Sequence, residues 1–174
     1  MKFNKNSFLV LVSFLAIIFC ADHSSAQNVH SENGNGTYTN PLISADFPDP
    51  DVILVGDTYY MVTTTMFIFP GVTILKSHDL VNWEYCSNAV PRFDFSNCYD
   101  LDTCNRYGHG QWATSMKYHN GKFYLLFITL NEGGFMCTAD KAEGPWHITH
   151  LPKGFYDPGL FFDRNATCMP SLPP

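Results

Sequence analysis

The sequence predicts an all-β chain built from tandem four-stranded units, the organisation of a β-propeller. Three observations carry that expectation. Short strand signals recur between turn residues, and no segment shows sustained helical periodicity. Two hairpin motifs repeat in the same order at nearly one offset, slightly longer than the usual blade period of about 40–50 residues. An Asp-Pro pair stands at the mouth of the first apolar run and again at the last, as Asp49-Pro50 and Asp157-Pro158.

At the N-terminus, Lys2 and Lys5 precede an apolar run over residues 8–20, and Ser24-Ser25-Ala26 offers small residues for cleavage before Gln27. That layout predicts a secretory signal peptide over residues 1–26, and hence a secreted or periplasmic protein; the run is short for a membrane span. Residues 27–39 are polar and rich in Asn and Gly, and read as a flexible leader. The first unit has strand signals at 52–55, 59–64, 72–77 and 83–86, separated by Gly56-Asp57-Thr58, Phe69-Pro70-Gly71 and His78-Asp79-Leu80. The second has them at 116–119, 123–129, 134–138 and 146–149. Gly56-Asp57-Thr58-Tyr59-Tyr60 is echoed by Gly121-Lys122-Phe123-Tyr124, and the turn that ends at Trp83 by the one that ends at Trp146. A third unit opens at Asp157-Pro158-Gly159-Leu160-Phe161-Phe162-Asp163; residues 164–174 are proline-rich without a strand pattern and read as an irregular, truncated tail. Residues 40–163 are thus expected to form a partial propeller, about two blades plus the first strand of a third. A small lectin-like β-sandwich is the alternative fold, and the repeated blade pattern weighs against it.

Formal net charge is -6, and the ten Lys and Arg residues form no cluster, which argues against nucleic acid or an anionic membrane as the partner. Aromatic residues make up 16% of the chain, which suits both a β-rich core and a sugar-stacking surface. Downstream of the signal lie Cys86, Cys98, Cys104, Cys137 and Cys168, an odd number that leaves at least one thiol unpaired. Cys98 and Cys104 are spaced to close a small loop in an oxidising compartment, which sequence leaves open. No Cys-x-x-Cys or nearby His pair suggests zinc.

The Asp-Pro motifs carry the chemistry. Proline fixes its own φ, lacks an N–H and biases the preceding residue toward extended geometry, so each Asp is expected at the lip of a strand. Either motif alone also reads as an ordinary Asp-Pro turn. Together, at matching places in neighbouring units, the two carboxylates can face one cleft, and paired carboxylates in a cleft are the apparatus of glycoside hydrolysis.

The order of motifs makes this specific. Asn40-Pro41-Leu42, Phe47-Pro48-Asp49-Pro50-Asp51, Gly56-Asp57-Thr58-Tyr59-Tyr60 and Phe69-Pro70-Gly71 resemble the opening of glycoside hydrolase family 43. Ser77-His78-Asp79-Leu80-Val81-Asn82-Trp83, Gln111-Trp112-Ala113, Gly121-Lys122-Phe123-Tyr124 and Tyr156-Asp157-Pro158 continue the resemblance in order. The resemblance implies a secreted five-bladed propeller that cleaves xylosides or arabinosides of plant cell-wall polysaccharide with inversion. It implies Asp49 as the general base, and Asp157 as the carboxylate that orients the acid and raises its pKa. Trp112 matches a position that lines the sugar subsite; a core tryptophan is the other reading. Where this chain has Met66 the family often has an aromatic, with Phe67 and Phe69 beside it here, and Phe67 is a candidate substrate contact.

The family's general acid is a glutamate in a later stretch. Glu84, Glu132 and Glu143 match no acid motif and read as solvated turn or strand-edge charges. Asp46 and Asp51 read as turn or hydrogen-bonding residues, and His109 as structural. No cofactor is implied; calcium occurs in some relatives, but its ligand positions cannot be assigned on this chain. The sequence also admits a non-catalytic carbohydrate-binding or remnant propeller that lacks the acid. A fructan-cleaving relative would carry Asn before the Asp-Pro, where this chain has Pro48.

Overall fold

The computed structural model describes residues 31–67, 69–151 and 153–163, and the backbone of 168–171. The predicted signal peptide and residues 27–30 of the leader lie outside the described residues. Strands β1 (Asp51–Val55), β2 (Thr58–Thr63), β3 (Gly71–Ser77) and β4 (Glu84–Val90) form one antiparallel sheet in the order of the chain. Strands β5 (Gln111–His119), β6 (Lys122–Thr129), β7 (Gly133–Ala139) and β8 (His147–His150) form a second of the same order. This is the repeated four-stranded blade of a propeller.

The turns explain why the echoed motifs read so clearly. In the first blade, the Asp79 carboxylate accepts the N–H groups of Val81 and Asn82 over 2.8 and 2.7 Å, an Asx-type turn leading into β4. The Trp83 indole N–H then donates to Leu80 O over 3.0 Å. In the second blade the Trp146 indole N–H donates to Ala142 O over 3.2 Å. The same indole anchor thus stands before the last strand of each blade.

The two sheets pack face to face on a shared core. Val62, Val72 and Ile74 of the first blade meet Met116, Leu125, Phe127 and Phe135 of the second, all fully buried. Phe93, on the connection between the blades, stacks on Phe69 at 4.7 Å and meets Phe135 edge-on at 5.1 Å. Ser87 Oγ donates to Ala142 O over 2.6 Å and adds a polar tie between the blades.

Four features differ from the sequence expectation or settle what it left open. β5 runs from Gln111, so the strand signal at 116–119 marks only its last part; its register with β6 shifts between Trp112 and Ser115, and an irregular ladder hides the first part from periodicity arguments. The connection between blades holds a 3-10 turn, Asn97–Asp100, and the Cys98–Cys104 disulfide that sequence left open. The tail expected to be irregular contains β10 (Cys168–Ser171), paired antiparallel with β9 (Gly159–Phe162). Pro170 masked that strand in the sequence, yet its backbone is accommodated in a two-stranded pair to which, among the described residues, no further strand is added. Part of the leader is a tight hairpin, with Asn33 N–H on Thr37 O at 3.0 Å and Thr39 N–H on Ser31 O at 2.9 Å.

Candidate active site

Three chain segments open the three sheet units, and they converge on one cleft. It is lined by Asp49, Pro50, Asp51, Ala113, Thr114, Ser115, Asp157 and Pro158, with a volume of about 330 Å³. The backbone there departs from the expected extended geometry. Asp49 has φ 50°, Ala113 has φ 22° and Asp157 has φ 44°, so each unit carries a non-glycine residue at positive φ where it meets the cleft. Proline after Asp49 and Asp157 biases against the right-handed helical region but does not enforce extension. Residues held at positive φ cost free energy that the surrounding structure must offset, and such residues cluster at functional sites.

Local bonds hold this geometry. Thr64 Oγ1 donates to Asp49 Oδ2 over 2.9 Å, while Thr64 N–H donates to Pro48 O over 3.0 Å. The residue just past β2 therefore grips both the Asp49 carboxylate and the backbone just before it. Asp51 points its carboxylate across to the second blade, where Oδ2 accepts the Met116 N–H over 2.8 Å and lies 3.4 Å from Lys117 Nζ. That matches its reading as a hydrogen-bonding residue.

Gln111 is fully buried and its amide is used on both sides. Its Oε1 accepts from Thr65 N–H at 2.8 Å, Thr65 Oγ1 at 2.9 Å and Val72 N–H at 3.2 Å, and its Nε2 donates to Thr114 Oγ1. One side chain thus fastens the β2–β3 connection to the start of β5 beside the cleft. Sequence quoted Gln111 as part of a motif without finding this role. A lone Gln before a Trp carries no signal of burial.

The candidate sugar contacts lie elsewhere. Trp112 is half-buried and its indole N–H donates to Gly108 O over 3.3 Å. Phe67 is 43% exposed and meets the Tyr107 ring at 5.4 Å. Neither lines the cleft that holds Asp49 and Asp157. His109 Nδ1 is hydrogen-bonded to Asn131 Oδ1 at 2.9 Å, a structural use. Asp46 lines a separate groove with Phe67 and Tyr85.

None of the three glutamates flanks the cleft. Glu84 pairs with Lys76 at 3.4 Å on an open strand, and Glu143 is exposed. Glu132 corrects the solvated reading: its side chain is only 15% exposed and accepts the hydroxyls of Tyr99 and Thr129 over 2.6 and 2.8 Å. Burial, reinforced by the bond to Glu132, pushes the Tyr99 hydroxyl well above its ordinary pKa. Among the described residues no group of three or more His, Cys, Asp or Glu side chains could hold a metal ion, so no residue is assigned to calcium.

Comparison with known proteins gives this geometry a class. The model of glycosyl hydrolases family 43 matches residues 38–168. A beta-xylosidase of Formosa agariphila is 33% identical over 91% of this chain and 30% of its own length. A non-reducing end alpha-L-arabinofuranosidase of Bacteroides ovatus is 35% identical over 72% of this chain and 24% of its own length. Among solved structures, a bifunctional GH43-CE protein of Bacteroides eggerthii superposes with a TM-score of 0.71 at 39% identity, covering 77% of this chain and 19% of that one. The chain belongs to glycosyl hydrolases family 43. Its fold is that of the family's five-bladed β-propeller, of which it holds about two blades. The chain spans less than a third of the length of these curated relatives.

Proposed function

We propose that this chain carries the nucleophile-activating half of an inverting glycosidase that removes xylose or arabinose units from plant cell-wall oligosaccharides. The observation that carries the reading is the convergence of Asp49 and Asp157, both in left-handed backbone, on one cleft. Asp49 is the general base. It takes a proton from a water that attacks the anomeric carbon, and the bond to the leaving oxygen breaks on the opposite face. A general acid, separated from the base by about 6.5–9.5 Å in inverting enzymes, protonates that oxygen. Asp157 orients this acid, and its negative charge keeps the acid protonated until it is needed.

The acid is a glutamate outside the cleft residues described above. General acid–base catalysis typically contributes about 10²–10⁴-fold, so residues 27–174 alone are expected to turn over little or no substrate. Trp112 and Phe67 lie beyond the cleft's lining, and we assign them contacts with sugar units further from the scissile bond. Lys2, Lys5 and the apolar run that follows support export through a signal peptide ending at Ala26.

A second reading has one observation in its favour: among the described residues, no glutamate lines the cleft. On that reading the protein binds carbohydrate without cleaving it. Turnover of nitrophenyl β-xyloside and nitrophenyl α-arabinofuranoside by the full-length protein separates the two. We expect turnover there and its loss, by at least about 10²-fold, in Asp49→Ala. Binding without turnover by the full-length protein supports the second reading.

A further inference from the structure

Asp49 and Asp157 stand on different sheet units, so their spacing depends on whatever joins those units beside the cleft. One hydroxyl is bonded to both of them at the cleft. Ser115 Oγ donates to Asp51 Oδ2 over 3.2 Å and accepts the Leu160 N–H over 3.1 Å. Asp51 lies two residues beyond Asp49 at the start of β1, and Leu160 lies three beyond Asp157 in β9. Ser115 itself belongs to β5, so all three units meet at this atom. Ser115 is 6% exposed and Leu160 2% exposed, so water is a poor substitute partner for either group. Asp51 is fixed in turn by the Met116 N–H at 2.8 Å and by Lys117 Nζ at 3.4 Å.

We propose that Ser115 is a positioning residue that sets the separation of Asp49 and Asp157, with Asp51 as its anchor. A hydroxyl can donate to a carboxylate and accept an amide N–H at a single atom, which keeps the two joined segments close. The register shift between Trp112 and Ser115 places this hydroxyl where β5 leaves its regular ladder with β6. Such irregularities commonly re-aim a side chain at a functional site. The proposal rests on the reading of Asp49 and Asp157 as a working pair, but its geometric half can be measured without turnover.

The test compares Ser115→Thr with Ser115→Val in the full-length protein, two side chains of matched shape that differ in the hydroxyl. In crystal structures, the Thr variant keeps the wild-type separation of the two carboxylates and the Val variant changes it. Exchange of the Leu160 amide speeds by at least about tenfold in Val and not in Thr. On nitrophenyl β-xyloside, kcat falls about 10–100-fold in Val with KM within about threefold, the signature of misplaced reacting groups. Equal separation, equal exchange and equal kcat in the two variants would overturn the proposal. Should Val fail to fold, Asp51→Ala removes the anchor instead, and an unchanged carboxylate separation there also overturns it. A wild-type protein without turnover, whose carboxylate spacing still depends on the hydroxyl, supports the positioning role while contradicting the glycosidase reading.

Discussion

Asp49 shows how much a single residue can hold. Its identity, the proline after it and its place before an apolar run were legible in the sequence. Its left-handed backbone, at φ 50°, was not, because it is held by Thr64, fifteen residues away, through bonds to its carboxylate and to Pro48 O. Asp79 is the opposite case, a surface carboxylate whose role follows from local sequence. The N–H groups of Asn82 and Val81, with the Asn82 side chain, hold its pKa far below the ordinary carboxylate value. A depressed folded-state pKa stabilises the fold above the unfolded value, about pH 4, and that contribution is lost as pH falls through the folded one. Asp79→Ala is therefore expected to lower the urea midpoint at pH 7, and the gap from wild type should narrow as pH is taken below 4. A gap independent of pH would remove the carboxylate from the explanation.

At the scale of elements, strands with regular alternation and anchored turns were readable, and those shaped by long-range contacts were not. The turns before β4 and β8 announce themselves because their partners lie within a few residues. Gln111, at the start of β5, reaches Thr65 and Val72, 46 and 39 residues away, and no local pattern encodes that. β10 was hidden by its proline. The connection between blades is fixed at several points. The disulfide closes it, Gly108 and Gly110 donate to Phe67 O and Met66 O over 3.3 and 2.8 Å, and Tyr99 is held by Glu132. Closing so short a loop restricts the unfolded chain by about 2 kcal/mol in the chain-entropy account. The double variant Cys98→Ala, Cys104→Ala should lose about that much stability in denaturant titrations. It should also loosen Tyr107 against Phe67, read as faster amide exchange at Gly108. Unchanged stability and exchange would show that the backbone bonds alone fix the connection.

For the molecule as a whole, the blade repeat explains why two distant Asp-Pro motifs share a cleft. Each unit presents the start of its first strand to the same mouth, and the packed core between blades keeps those starts in register. The first and third starts carry carboxylates and the second carries Ala113, which leaves room between them. Family membership supports the proposed glycosidase reading of this cleft, and the proposed role of Asp49 as a water-activating base carries a stereochemical consequence, inversion. The most direct measurement follows that outcome by proton NMR, watching the first sugar released from nitrophenyl β-xyloside by the full-length protein. The account predicts that α-xylose forms first and that Asp49→Ala releases none at a measurable rate. β-Xylose as the first product, or undiminished release by Asp49→Ala, would contradict it.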